Sequence, residues 1–487
     1  MRRIFTEKGA GPLKRKCLFA AAVSALLALL LSQTALALPD NYYVLDEEGQ
    51  KSVTPVTYIP ERQTNYFGKY GGLKSPEDLF IDKEGFLYVA DTGNNRILKL
   101  DGQMQVIREY SGEDNTRLNN PKGVFVHSNG DLFIADTGNQ RILHITQEGT
   151  YVEEFVKPDS ELITDNLTFN PSKIAVSSTG IIYLIKGQHF MTLDAYNNFK
   201  GYVGSTQVGF DLVQWFIRKF ASQEQIERLK KQQPKPYANF CIGEDDTLYA
   251  VSLTESGQIR KINAVGTNVF QEKLYGEKYI DNTNQLKTSE FIDIAVDKNG
   301  IISALASDNG RIYQYDGEGN MLCSFGGKGQ VNGLFTNPVS LAVDGNGCIY
   351  VLDTATNSIQ QFVPTRFIHT VHEASALYAD GRYDQSGTLW KTVLETDSSY
   401  ALAHTGMAKA LFKEGDYTAS MQEYDLANNR VGYSKAFAAY RHEIFRAHFV
   451  PIVGLGVIGI AGILALLMLF ARLSRRVYNE LVLRIKK

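Results

Sequence analysis

Short runs of alternating apolar and polar residues fill most of positions 38–365, and this period of two predicts β-strands. A strand, a tight turn and a second strand recur six times along this region. The turns are centred on Gly85, Gly130, Gly180, Asp246, Gly300 and Gly347. Because a repeated unit of roughly this length fills one small sheet, we expect each copy to form a blade of four short strands.

Two copies of the unit share an almost identical phrase, VADTGNNRILKL at 89–100 and IADTGNQRILHI at 134–145. Aspartate and asparagine hydrogen-bond nearby backbone in turns, and an arginine can reach a carboxylate or carbonyl of the neighbouring blade. We therefore predict a structural corner of the blade rather than a ligand site. The predicted corner residues are Asp91, Asn94, Arg96, Asp136, Asn139 and Arg141.

The full unit, with a proline, two apolar strands and a D-T-x-N-x-R turn, resembles the NHL repeat. The match is close in the first two copies, whereas the third lacks the aspartate and arginine and the sixth lacks the arginine. The resemblance implies an all-β, six-bladed β-propeller over residues 38–365. Since the sixth copy has only three strands, we expect an N-terminal strand from 41–49 or 55–60 to close the ring.

An insertion at 205–235 interrupts the repeats between the third and fourth blades. Phe210, Val213, Phe216 and Phe220 share one helical stripe, which predicts a helical insertion. The stripe either packs on the propeller or forms a docking surface for a partner, and the sequence leaves both interpretations open.

Beyond residue 365 the apolar period becomes helical, and a second repeat begins. Ala374, Leu377, Gly381 and Tyr383 recur 34 residues later as Ala408, Leu411, Gly415 and Tyr417. This pattern resembles tetratricopeptide repeats, and we assign residues 366–447 to an all-α segment of that kind. The resemblance implies a surface for peptide partners, while a spacer that holds the propeller away from a membrane is the alternative.

Two long apolar stretches predict the location of the chain. Residues 1–37 combine a basic start, an apolar run and Ala35-Leu36-Ala37, which is typical of a secretory signal peptide; an uncleaved anchor is the alternative. Residues 448–471 hold no charge and predict a transmembrane helix. Because Arg472, Arg475 and Arg476 follow, the positive-inside rule makes 472–487 a basic cytoplasmic tail. The cell membrane would thus hold a single-pass protein whose propeller and helical repeats are extracytoplasmic.

Charge and cysteine content exclude some classes of protein. The net charge is -3, and both ends of the chain are basic, so the middle is acidic and we expect no nucleic-acid partner. Cys241, Cys323 and Cys348 lie in strand-like runs, where unpaired buried thiols are favoured over a disulfide framework.

The mouth of the propeller channel, where the innermost strands begin, is the best candidate for a ligand site. Alignment of the six copies brings the following residues to this ring: Asp78, Gly123, Lys173, Asn239, Asp293 and Ser340. Such a ring suits sugar hydroxyls or a peptide. Resembling six-bladed lactonases and esterases hold calcium there, but the Lys173 ammonium would repel a cation. We therefore predict no cofactor, with calcium as the alternative.

Two functions of different class follow. The first is a non-catalytic binding or scaffold protein, anchored in the membrane, that binds a protein or carbohydrate partner and works beside another membrane assembly. The second is a calcium-dependent hydrolase or lyase with its site at the channel mouth. The sequence lacks a nucleophile elbow, a phosphate loop and a zinc motif, so we predict no catalytic residues.

Overall fold

A computed structural model describes residues 42–45, 49–160, 163, 168–203, 236–254, 256–264, 266–280 and 283–485. It confirms an all-β six-bladed propeller followed by helices. The predicted signal peptide and the predicted helical insertion at 205–235 lie outside the described residues.

Each blade is an antiparallel sheet whose strands follow one another in sequence. Blade 1 comprises β4 Asp78–Ile81, β5 Leu87–Asp91, β6 Arg96–Leu100 and β7 Val106–Tyr110. Blade 2 comprises β8 Pro121–Val126, β9 Leu132–Asp136, β10 Arg141–Ile145 and β11 Tyr151–Phe155. Blade 3 comprises β12 Lys173–Val176, β13 Ile182–Lys186, β14 His189–Leu193 and β15 Phe199–Tyr202. Successive residues along each strand point to opposite faces of its sheet.

The second half of the propeller is less regular. Blade 4 comprises β16 Tyr237–Ile242, β17 Leu248–Ser252 and β18 Ile259–Ile262. A separate hairpin follows, β19 Lys278–Ile280 with β20 Leu286–Thr288. Blade 5 comprises β21 Phe291–Val296, β22 Ile302–Ala306, β23 Arg311–Tyr315 and β24 Met321–Gly326. Blade 6 comprises β25 Pro338–Val343, β26 Ile349–Asp353 and β27 Ser358–Pro364, together with β3 Tyr58–Thr64.

The N-terminal part of the chain closes the ring, as predicted. β3 pairs antiparallel with β27, with Thr64 opposite Ile359 and Tyr58 opposite Pro364. The segment at 41–49 has another place: β1 Tyr43–Leu45 and β2 Lys51–Val53 extend the outer edge of blade 5. Closure thus joins a strand from the beginning of the propeller to the last strand of its final blade.

Blade 4 departs from the prediction of four strands. In the described residues its third strand, β18, is followed by a single bridge between Ile262 and Asn268. The Asn268 side chain accepts a hydrogen bond from the Lys261 amide at 3.1 Å, and the Val269 amide donates to the Lys261 carbonyl at 2.7 Å. The segment after β18 therefore does not form a regular ladder of hydrogen bonds with that strand, because an asparagine side chain takes the place of one backbone partner.

After the propeller the helices pair in succession, and the same side-chain contact occurs in two successive pairs. Its helices are α1 Arg366–Ala379, α2 Tyr383–Thr396, α3 Ala401–Glu414, α4 Tyr417–Leu426 and α5 Arg430–Ile485. Ser386 Oγ donates to the Ala374 carbonyl at 2.8 Å, and Ser420 Oγ donates to the Ala408 carbonyl at the same distance. The 34-residue repeat therefore corresponds to a repeated packing contact between paired helices. Its resemblance to tetratricopeptide repeats stays a prediction.

The last helix, α5, has 56 residues and is about 84 Å long at 1.5 Å per residue. Within its segment Val453–Asn479 an 18-residue stretch has a mean hydropathy of 2.6, and the helix is long and apolar enough there to cross a membrane. The sequence predicted the span at 448–471 and helical repeats over 366–447 before it. In the structure one continuous helix covers the predicted span, the residues before it and most of the basic tail.

Candidate functional site

The inner strands of the six blades contact one another around a closed ring. The predicted channel-mouth residues occupy equivalent positions on these inner strands. Each of them pairs with the last-but-one residue of the second strand of its own blade. Four of them, Asp78, Lys173, Asp293 and Ser340, are brought together by direct contacts. The repeat register therefore predicted where these side chains lie.

Asp78 is the centre of this channel-mouth network. Its Oδ1 atom lies 2.5 Å from Lys173 Nζ of blade 3 and 3.3 Å from Ser340 Oγ of blade 6. Its Oδ2 atom accepts a hydrogen bond from the Val124 amide of blade 2 at 3.0 Å. One buried carboxylate on blade 1 thus contacts three other blades.

Asp293 of blade 5 extends the network. Its Oδ2 atom accepts hydrogen bonds from Ser340 Oγ at 2.6 Å and from the Leu341 amide at 2.8 Å, both on blade 6. Its Oδ1 atom accepts from the Ile294 amide at 2.9 Å. Ser340 Oγ in turn accepts from the Leu79 amide at 3.1 Å. Because a hydroxyl has one proton, the shorter contact to Asp293 is the bond that Ser340 donates.

The ion pair sets the electrostatics of the network. Burial alone would lower the pKa of the Lys173 ammonium, but the Asp78 and Asp293 carboxylates raise that pKa above its ordinary value. Burial raises the pKa of Asp293 to about 6; Lys173 opposes this shift and Asp78 adds to it. Burial likewise raises the pKa of the nearby Cys241 thiol to about 12. At neutral pH Lys173 is charged and offsets one of the two carboxylate charges.

The remaining two predicted ring residues have other roles. Asn239 turns its Oδ1 atom to the Phe240 amide of its own strand, at 2.8 Å. Gly123 is needed for close packing, since a β-carbon there would lie 2.6 Å from the Ser172 carbonyl oxygen of the next blade. The polar ring is therefore incomplete on the side of blades 2 and 4.

A calcium ion does not fit this donor set. All four oxygens of Asp78 and Asp293 already contact a hydrogen-bond donor or the Lys173 ammonium. Calcium takes six to eight oxygen ligands, and an ammonium 2.5 Å from a carboxylate oxygen occupies the place of a cation. Among the described residues no group of three or more histidine, cysteine, aspartate or glutamate side chains is arranged to hold a metal.

Ionisation of Asp293 should make folding depend on pH. A carboxyl whose pKa is about 6 when folded and 3.8 when unfolded retains its proton longer in the folded chain. Its protonation therefore stabilises the fold at low pH, and this contribution, up to about 3 kcal/mol, is lost as the pH rises from about 4 through 6. We expect the free energy of unfolding of the native chain, relative to Asp293→Asn, to fall over that range.

The measurement is urea unfolding of the detergent-solubilised full chain, followed by circular dichroism from pH 4 to 7. Asp159→Asn is the control, because Asp159 is exposed. A constant difference between native and Asp293→Asn chains across this range would contradict the assignment.

The corner residues form a second, structural site. In blade 1, Asp91 Oδ2 accepts from Arg96 Nε at 2.7 Å and from Asn94 Nδ2 at 2.8 Å, while Oδ1 accepts from the Lys74 amide at 2.8 Å. Asp91 is fully buried. The contacts recur in blade 2, where Asp136 accepts from Arg141 at 2.8 Å, from Asn139 at 2.8 Å and from the Asn119 amide at 2.8 Å.

The corner arginines do not contact the next blade, so that part of the prediction was wrong. Arg96 donates to the Gly72 carbonyl at 3.3 Å, and Arg141 donates to the Asn115 and Arg117 carbonyls. These carbonyls belong to the loop that enters the same blade, because the aspartate holds each guanidinium over its own turn.

A threonine that the sequence interpretation missed makes the contact between blades. Thr92 Oγ1 donates to the Pro121 carbonyl of blade 2 at 2.7 Å, and Thr137 Oγ1 donates to the Pro171 carbonyl before blade 3 at 2.6 Å. The signal was available, since the threonine and the proline both recur in the first copies. The D-T-G-N phrase therefore joins consecutive blades.

Comparison with known proteins agrees with this description of the repeat. Residues 118–145, which include the second corner, match the family model for the NHL repeat. The chain carries an NHL repeat. No curated protein sequence matches the chain.

Solved structures with a similar chain path include enzymes. Streptogramin B lyase is 14% identical with a TM-score of 0.41, covering 63% of this chain and 98% of that one. Virginiamycin B lyase from Staphylococcus aureus is 14% identical with a TM-score of 0.37, covering 67% and 88%. At these identities and TM-scores, neither indicates an activity for the NHL-repeat chain.

Proposed function

We propose that this protein is a membrane-anchored, extracytoplasmic binding protein that uses its propeller and helical repeats to hold a protein partner. The observation that carries the proposal is the hydrogen bonding of the polar residues at the channel mouth. Asp78, Lys173, Asp293 and Ser340 bond to one another and to backbone amides, so their polar groups stabilise the ring instead of facing a substrate.

The long apolar helix supports the anchoring part of the proposal. Side chains around Val453–Asn479 are exposed on all sides, among them Leu455 at 72% and Phe470 at 73%. Water would make such exposure costly, whereas lipid tails would cover it. The three arginines at 472, 475 and 476 favour a cytoplasmic location for the end of the helix.

Orientation is tested by thiol labelling of the full chain in cells. Tyr196→Cys places a thiol at a propeller position that is 87% exposed, and Tyr478→Cys places one after the span at 67% exposure. We expect a membrane-impermeant maleimide to label the Tyr196→Cys chain in intact cells and the Tyr478→Cys chain only after permeabilisation. The reverse pattern would overturn the extracytoplasmic placement. The native chain, with Cys241, Cys323 and Cys348 unpaired, gives the background.

Binding is tested by photo-crosslinking in the same membranes. A crosslinking residue replaces Glu113 on the channel-mouth face, Glu84 on the opposite face or Lys391 on α2, all three exposed. We expect a discrete protein adduct at one of these positions and little at the others. Absence of any adduct, together with calcium-dependent cleavage of lactone or ester substrates by the purified chain, would favour the enzyme instead.

A further inference from the structure

The part of α5 before the membrane span carries an unusual face. Residues 441–450 are exposed throughout, and no other described element covers them. Large apolar side chains on one side of this helix are nevertheless exposed: Tyr433 at 40%, Phe437 at 44% and Ile444 at 42%, whereas Phe445 and Phe449 lie on other sides. A solvated helix normally places polar residues on such positions, so this part of the helix is suited to a partner.

The apolar positions follow a coiled-coil spacing. Between residues 433 and 468, residues alternately four and three apart carry no charge, whereas Arg430 precedes this row and Arg472 and Arg475 follow it; we call the uncharged row the seam. The seam comprises Tyr433, Phe437, Tyr440, Ile444, Ala447, Pro451, Gly454, Ile458, Ala461, Ala465 and Met468. A 3.5-residue repeat of apolar positions is typical of helices that wrap around each other. Three of the five seam residues before the span are aromatic, and three of the six within it are glycine or alanine, which let helix backbones approach closely.

Charges flank the seam without entering it. Lys435, Arg441, Glu443 and Arg446 are the charged residues between 431 and 450, and all lie off the seam. Glu443 precedes the seam residue Ile444, and His448 follows the seam residue Ala447. In a parallel pair of helices, Glu443 of one helix faces the residue five positions later, His448, of the other helix. The Glu443 carboxylate of one helix thus meets the His448 imidazole of an identical helix, whose N–H can donate a hydrogen bond to it.

We infer that a second copy of this chain covers the seam, so that two parallel α5 helices form a left-handed pair through the membrane and above it. The inference relies on the proposed membrane anchor, since copies inserted by the same signal run in the same direction. Parallel orientation is what the matching of Glu443 with His448 requires. A heterologous partner would not need a carboxylate and an imidazole at this spacing.

The test is a cysteine scan of the full chain in isolated membranes, oxidised with copper phenanthroline, which reaches both membrane faces. Single substitutions at the seam positions Tyr440, Ile444 and Ala447 should give strong disulfide-linked dimers. The off-seam positions His442, Arg446 and Phe449 should give several-fold less, and the native chain supplies the background. Equal cross-linking at all six positions, or none at any, would overturn the pairing. Because isolated membranes expose both sides, a wrong orientation leaves this result unchanged and is detected only by the labelling experiment.

A pair of charge substitutions provides an independent readout. Ile444→Glu places like charges opposite each other in the seam, whereas Phe449→Glu places the same charge on the far side of the helix. Energy transfer between labelled full-length chains in vesicles should be lost with Ile444→Glu and retained with Phe449→Glu. Retention with both variants would show that the seam does not join two copies. A disulfide adduct between the Ile444→Cys chain and a different protein would overturn the pairing by assigning the seam to that protein.

Discussion

Replacing Lys173 with methionine should cost about 3–5 kcal/mol of folding free energy, because it leaves two buried carboxylates without their counter-charge. Asp78 and Asp293 are 2% and 1% exposed, so water cannot replace the ammonium. Urea unfolding of the detergent-solubilised full chain at neutral pH measures the loss. Acidification should lessen it, since Asp293 then takes up a proton.

Two variants make this result specific. Lys122→Met removes an ion pair with Glu77 that also joins blades 1 and 2, but whose partners are about one-third exposed. We expect this control to cost less than about 1 kcal/mol. The double variant Lys173→Met with Asp78→Asn should be more stable than Lys173→Met alone, because it also removes one unpaired charge. Equal losses for Lys173→Met and Lys122→Met would show that the ring does not depend on its buried ion pair.

Asp136→Ala should be the other severe substitution, again at about 3–5 kcal/mol. The Asp136 side chain is fully buried and accepts three hydrogen bonds, including the one from the Arg141 guanidinium, which is itself only 10% exposed. Removing the carboxylate leaves Arg141 Nε and the Asn119 amide without their acceptor, and the guanidinium keeps only Glu154 and two backbone carbonyls. Thermal or urea unfolding of the full chain measures the effect.

The repeat supplies matched controls for the corner. Asp91→Ala should cost a similar amount, because blade 1 has the same contacts. Glu154→Ala removes only the outer partner of Arg141, a carboxylate that is 40% exposed, and should cost less than about 1 kcal/mol. If Asp136→Ala were no worse than Glu154→Ala, the corner could not be holding the blades in place.

Most of the fold was predictable because the repeat fixes register. Once Gly85 and its counterparts were aligned, the inner-strand positions followed, and with them the meeting of Asp78, Lys173 and Asp293. The repeat did not predict which side chains bond across the channel. That outcome depends on reach: the long Lys173 side chain extends to blade 1, whereas Asn239 bonds to its own strand.

Departures from the repeat were the least predictable parts. In the part of blade 4 that the structure describes, a fourth strand is missing where Asn268 takes the place of a backbone partner, a change that the apolar pattern does not show. The three-residue strand β1 is too short to have a recognisable period, so its pairing with blade 5 had no signal in the sequence. The blade-joining role of Thr92 was missed because a threonine in a turn usually bonds locally.

Closure by β3 has a consequence for biogenesis. β3 is synthesised before blade 1, yet its partner β27 is made almost 300 residues later. Until then the nascent chain carries an unpaired edge at each end, and edges of this kind recruit other strands. The ring therefore closes only after its last blade has been synthesised. A chain truncated within the propeller would keep two unpaired strand edges, which can pair with strands of other chains.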